Sequence, residues 1–164
     1  MRCTTAVGHA NERPEMSGLV FVDTNVLLHA FDPADKSKQA RACEWLTACW
    51  QGHCGRISSQ VQHEFYANAR KRFSSVIAAG DARAEVRRLQ QWKPWLVDQP
   101  TVETAWALES RYQLSYWDAL MVAAAQHLGC AWLLTEDLQH DQRIDKLRVI
   151  SPFRVGPEVL EAAP

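Results

Sequence analysis

The sequence predicts an α/β domain, a three-layer α/β/α arrangement in which a short central parallel sheet is flanked by helices. Three segments carry that prediction: Leu19-Val20-Phe21-Val22, Ala131-Trp132-Leu133-Leu134 and Arg148-Val149-Ile150 are brief, largely apolar runs bounded by small polar residues, as buried strands should be. Between them apolar residues recur at helical spacing, and strand-helix-strand order with short links is what a parallel sheet requires. At 164 residues the chain has room for one domain with its own core, and 47% hydrophobic with 23% charged residues is the balance of a soluble globular protein.

Residues 1–15 show neither periodicity nor an apolar run and are expected to be a disordered extension ahead of Met16. The domain proper is expected over 16–155, with 156–164 as a C-terminal tail. After the first strand, Asp23-Thr24-Asn25 turns the chain into a short helix reaching about Ala30, which Asp32-Pro33-Ala34-Asp35 breaks. A second helix is predicted from about Ser37 to Trp50, with Ala42, Trp45, Leu46 and Cys49 on one face and Gly52 and Gly55 beyond its end. Arg56-Ile57-Ser58 reads as a short strand, and Ser59-x-x-Gln62 as a capping box opening the next helix. On that helix Val61, Glu64, Phe65 and Asn68 share one stripe, so Glu64 is turned toward the interior edge. The helix is expected to run through Arg72 and to be followed by a basic helix over about Asp81–Gln91. Lys93-Pro94-Trp95 ends this pair, Val97-Asp98 is a minor strand candidate, and Thr101 starts a helix to about Arg111 with Val102, Ala105 and Trp106 inward. Ser115 opens the most apolar helix, Ala119 to Leu128, and Gly129 suits a left-handed cap.

No apolar stretch approaches the ~18 residues needed to span a bilayer, which argues against a membrane role. Five cysteines, Cys3, Cys43, Cys49, Cys54 and Cys130, lack any C-x-x-C pair. Reduced thiols in a cytoplasmic protein are the simplest reading, and Cys49-x-x-x-His53-Cys54 lacks the second half of a zinc site. The net charge of -1 conceals a basic segment: Arg70, Lys71, Arg72, Arg83, Arg87, Arg88 and Lys93 face only Glu64, Asp81 and Glu85 between Glu64 and Trp95. Such a segment suits either a phosphate backbone or a solvated helix face. Of the tryptophans, Trp45, Trp106, Trp117 and Trp132 sit on apolar faces and are assigned to the core, while Trp92 and Trp95 are candidates for stacking on bases.

Four acids stand where elements start, end or turn inward: Asp23, Glu64, Asp118 and Asp137. Asp23 ends a buried strand, the edge at which open α/β sheets bind ligands, but it is also suited to cap the following helix. Asp118 lies three residues after Ser115 and fits a capping-box variant, and Asp137 can cap a last turn. Capping gives no reason for Glu64. A carboxylate turned inward costs several kcal/mol, roughly the scale for unpaired buried charge, unless it is paired, protonated or bound to a cation. Glu136, beside Asp137, is a possible substitute ligand. His63 adjoins Glu64 without forming an H-E-x-x-H motif.

Taken together, Val22-Asp23-Thr24-Asn25-Val26-Leu27, Ser59-Gln60-Val61 with Glu64-Phe65, Ser115-Tyr116-Trp117-Asp118-Ala119-Leu120 and Leu134-Thr135-Glu136-Asp137-Leu138 resemble the motifs of PIN-domain nucleases, more narrowly the VapC-type toxins of toxin–antitoxin pairs. The likeness runs from about Met16 to Phe153, with the four acids 41, 54 and 19 residues apart. It implies a PIN-like fold, metal coordination by Asp23, Glu64, Asp118 and Asp137, and polar support from Asn25 and Thr135. It also implies a metal-dependent endoribonuclease, a cognate antitoxin protein and a homodimer. The residues agree on the metal: four carboxylates at one sheet edge cannot all ionise without a compensating cation, and an oxygen-only donor set favours Mg²⁺ or Mn²⁺ over zinc. Arg70, Lys71 and Arg72 are then candidates for RNA binding. A different class of function is a catalytically silent PIN-like domain that binds RNA or scaffolds a complex. A haloacid-type phosphatase, with Asp23 as nucleophile, needs a second acid where Asn25 stands.

Overall fold

The computed structural model describes residues 18–161. The extension expected over residues 1–15 lies outside them. Five strands form one sheet in the order β2-β1-β3-β5-β4, from β1 (Leu19–Val22), β2 (Gly55–Arg56), β3 (Cys130–Leu134), β4 (Arg143–Ile144) and β5 (Leu147–Ile150). β1 pairs in parallel with β2 and β3, and β3 with β5, while β4 runs antiparallel at the edge. Six helices flank the sheet: α1 (Thr24–His29), α2 (Lys36–Gln51), α3 (Ser59–Lys71), α4 (Ala79–Leu89), α5 (Gln99–Tyr112) and α6 (Tyr116–His127). The three-layer expectation therefore holds. The central strands are buried on both faces, with Val20, Phe21, Val22, Leu133 and Leu134 inaccessible to solvent.

Several local expectations shift. α2 starts at Lys36, one residue before the predicted Ser37, and Asp35 caps it, its side chain accepting from Lys38 N. Ser58, not Ser59, caps α3 by accepting from Val61 N. Gln62 accordingly takes no part in a capping box; it is buried, donating to Val86 O and accepting from Gln90. The strand expected over Arg56–Ser58 closes at Arg56, where Ile57 and Ser58 leave the sheet and Ser58 forms an isolated bridge with Trp95. Val97-Asp98 forms no strand, because Asp98 caps α5. β5 matches the strand predicted over Arg148–Ile150, but its antiparallel partner β4 has no sequence mark, because a two-residue edge strand is too short to show a period. Beyond residue 155, Pro157–Leu160 forms a 3-10 turn that buries Leu160 in the core.

The tryptophans divide differently from expectation. Trp45 and Trp132 are core residues, but Trp106 and Trp117 are 47% and 62% exposed. Trp92 is buried, 4.6 Å from the ring of Trp50, and packs so closely on Gly55 that a Cβ there would overlap its indole. It has no face free for a base. Among the described residues Cys49, Cys54 and Cys130 are free and buried. Among the described residues no helix is long and apolar enough to cross a membrane.

Candidate active site

Register brings the first site residues together. β1 and β3 lie side by side with Val22 opposite Leu134, so the next residues, Asp23 and Thr135, emerge as neighbours at the carboxyl edge. The chain leaves β1 toward β2 on one side and β3 toward β5 on the other, which makes this edge the crevice where such sheets bind ligands. Asp23 accepts from Thr24 N at 2.6 Å, capping α1, and from Thr135 Oγ1 at 2.6 Å. The capping function expected of an isolated strand-end acid is thus present.

Asn25 extends the cluster. Its Nδ2 donates to Asp23 Oδ2 at 2.9 Å and to Asp137 Oδ2 at 3.0 Å, with Thr135 Oγ1 3.4 Å away. Asp137 caps no helix; its backbone N–H donates to Thr135 Oγ1, so the turn after β3 wraps around that hydroxyl. Glu64 arrives from α3, half-buried as its stripe predicts, and both its oxygens are engaged. Thr24 Oγ1 donates to Oε2 and Gln60 Nε2 to Oε1, each at 2.9 Å. Asp118 sits in the first turn of α6, where Ser115 both caps the helix through Asp118 N and donates to Asp118 Oδ2 at 2.6 Å.

Burial drives the electrostatics. Asp23 is 6% exposed, and desolvation pushes its carboxyl up to about 7; the Thr135 hydrogen bond opposes the shift, while the charges of Asp137 and Glu64 add to it. A cation would offset both the burial and the repulsion. The donor set fits a divalent ion in kind, being carboxylate oxygen throughout, and Asn25 Oδ1 is a buried acceptor with no partner. Yet among the described residues no three carboxylate, imidazole or thiol groups converge closely enough to hold one ion in this arrangement. The Asn25 amide occupies Asp23 and Asp137, and Ser115 draws Asp118 back onto its own helix turn.

Glu136 is not a spare ligand. It pairs with Lys38 at 2.6 Å and His29 at 2.7 Å, fastening the turn after β3 to α1 and α2. Thr24, Gln60 and this ion-pair cluster were missed by sequence reasoning. Only the three-dimensional approach of α3 and α1 shows why Thr24 matters. Arg70, Lys71 and Arg72 are exposed at the C-terminal end of α3, two turns beyond Glu64, where they also complement the helix dipole. Arg88 is taken by Glu85 and by the ring of Trp50. A groove of about 590 Å³ opens beside Glu64, lined among others by Gln60, His63, Ala67, Trp117 and Leu120.

Residues 20–146 match the PIN domain family, more than half of the chain. The protein belongs to the PIN-domain family. Solved structures with the same fold include a toxin–antitoxin complex from Klebsiella pneumoniae, 21% identical, covering 83% of this chain and 99% of that one with a TM-score of 0.59. FitAcB from Neisseria gonorrhoeae is 15% identical, covering 84% and 100% of the two chains with a TM-score of 0.61. VapC20 of Mycobacterium tuberculosis, described as a Sarcin-Ricin loop cleaving toxin, is 20% identical, covering 70% of this chain and 86% of its own, with a TM-score of 0.53. No curated protein matches.

Proposed function

We propose that this PIN domain is a metal-dependent endoribonuclease and the VapC-type toxin of a toxin–antitoxin pair. The observation that carries the reading is the hydrogen-bonded network that links Asp23, Glu64 and Asp137, from three separate parts of the chain, through Thr24 and Asn25 at the carboxyl edge of the sheet. An acid pushed up to about 7 by burial and by neighbouring acids is a cost that a cation site explains.

Asp23, Glu64, Asp118 and Asp137 are the residues that would hold Mg²⁺ or Mn²⁺. The bound ion supplies a water of lowered pKa and charge to offset that developing on a phosphodiester. The chain supplies the orientation. Thr135 and Asn25 fix the carboxylates of Asp23 and Asp137, Thr24 fixes Glu64, and Ser115 fixes Asp118. The groove lies beside Glu64, and Arg70, Lys71 and Arg72 are exposed cations farther along α3 that could meet the phosphates of a strand.

RNA as substrate, a cognate antitoxin protein, a homodimer and a cytoplasmic location follow from the likeness to VapC-type toxins. The fold is shared with a toxin–antitoxin complex and with a Sarcin-Ricin loop cleaving toxin, which supports that part of the reading. Mapping new RNA ends after induction of the wild type and of Asp23→Asn tests it. Discrete ends in the wild type alone are expected; identical end profiles in both strains would sink it.

A further inference from the structure

Gln60 stands apart from the acids, yet its position has a purpose that helix propensity does not supply. It lies one turn before Glu64 on α3, and its Nε2 donates to Glu64 Oε1 at 2.9 Å while lying 3.5 Å from the backbone oxygen of Trp117. Both neighbours are acceptors only, so the NH₂ end of the amide must face them. Gln60 Oε1 is thereby turned away, buried and without a partner among the described residues. An alkyl side chain of the same length would leave no such orphan.

We infer that Gln60 is a positioning residue that sets the Glu64 carboxylate for cation binding and couples its placement to the first turn of α6. The inference rests on the reading of this edge as a metal centre. Glu64 is held from two sides, by Thr24 on Oε2 and Gln60 on Oε1, each of which leaves an oxygen lone pair for an ion. Without Gln60 the carboxylate is held only by the Thr24 bond on Oε2, and Oε1 loses its fixed direction. The contact to Trp117 O reaches the residue immediately before Asp118, so one amide spans the gap between the helices that carry Glu64 and Asp118. Groups that orient metal ligands in this way change metal affinity about 10–100-fold when removed.

The test is Mn²⁺ binding to the full chain, read by the electron paramagnetic resonance of free Mn²⁺, in wild type, Gln60→Met, Glu64→Gln and the double variant. Gln60→Met keeps the length and removes the donor. It is expected to weaken Mn²⁺ about tenfold in the wild-type background and to have no further effect once Glu64→Gln is present, because Gln60 acts through Glu64. Thermal unfolding in chelator is expected to be unchanged, and in RNA cleavage kcat falls while KM holds. Should Gln60→Met fail to fold, Gln60→Ala reports the same coupling. An unaltered Mn²⁺ affinity, or an equal loss in both backgrounds, overturns the inference while leaving the nuclease reading intact. Absence of Mn²⁺ binding by the wild type overturns both.

Discussion

Thr135 Oγ1 donates a 2.6 Å hydrogen bond to Asp23 Oδ2 across the seam between β1 and β3. The same oxygen accepts from Asp137 N at 3.1 Å, so one hydroxyl ties together the strand-end acid and the turn that carries the last acid. Both Thr135 and Asp23 are buried, which makes the bond hard to replace with water. Thr135→Val, nearly the same shape, should destabilise the metal-free protein by about 1–3 kcal/mol, the usual cost of leaving a buried acceptor short of its donor. Urea unfolding at neutral pH measures this; an unchanged midpoint would show that the bond contributes nothing.

The pH dependence of stability follows from Asp23. Its carboxyl sits at about 7 in the folded chain against 3.8 unfolded, so the folded state favours the protonated acid. Stability associated with that proton is fully present below pH 3.8 and is lost as pH rises through about 7. The loss is on the order of 4 kcal/mol when complete, at about 1.4 kcal/mol per tenfold change in the protonation ratio. Asp23→Asn keeps a capping side chain and cannot ionise. In chelator it should melt several degrees above wild type at pH 8.5, with the gap closing as pH falls toward 4. A gap that stays constant with pH contradicts the assignment.

Glu136 and Asp137 are adjacent but should behave oppositely. Burial raises the Glu136 carboxyl, but the hydrogen bonds and charges of Lys38 and His29 outweigh it and hold it below the ordinary range. Its contribution is present above the unfolded pKa and is lost as pH falls. Glu136→Gln is expected to cost about 1 kcal/mol, for a partly exposed ion pair, with Mn²⁺ affinity unchanged. Asp137→Asn should instead weaken Mn²⁺ with little effect on folding. Calorimetric titration of both variants decides, and a Glu136 variant that loses the ion would restore Glu136 as a ligand.

The basic end of α3 makes a separate prediction. Changing Arg70, Lys71 and Arg72 together to Gln, in an Asp23→Asn background that prevents cleavage, should weaken single-stranded RNA binding and reduce the log–log salt slope by about 2. Fluorescence anisotropy across a salt series measures the slope. If it does not change, the phosphate contacts lie elsewhere on the surface.

What the sequence made legible was whatever leaves a periodic or chemical mark in one dimension. The apolar runs at Leu19–Val22 and Leu133-Leu134 announced the parallel strands, and Glu64, turned inward between Val61 and Phe65, marked a candidate site. The Ser59 cap failed because Ser58 and Ser59 are both good caps, and only the bridge from Ser58 to Trp95 decides between them. Trp106 and Trp117 were assigned inward from spacing alone, though a position at the margin of a helical stripe turns outward with a small rotation. Thr24, Gln60 and the pairing of Glu136 with Lys38 depend on contacts 40 to 98 residues apart, or on which face a helix presents to another, and no local pattern records them.

Metal-dependent ribonuclease chemistry at the acid cluster, as proposed, would leave defined product ends. Incubating a defined single-stranded RNA with the purified chain in Mn²⁺ or Mg²⁺, in chelator, and with Asp23→Asn, followed by analysis of the product ends, tests it most directly. Attack by water with departure of the 3′ oxygen predicts 5′-phosphate and 3′-hydroxyl ends that appear only with wild type and metal. RNA binding without cleavage, or cleavage that survives both chelator and Asp23→Asn, would contradict it.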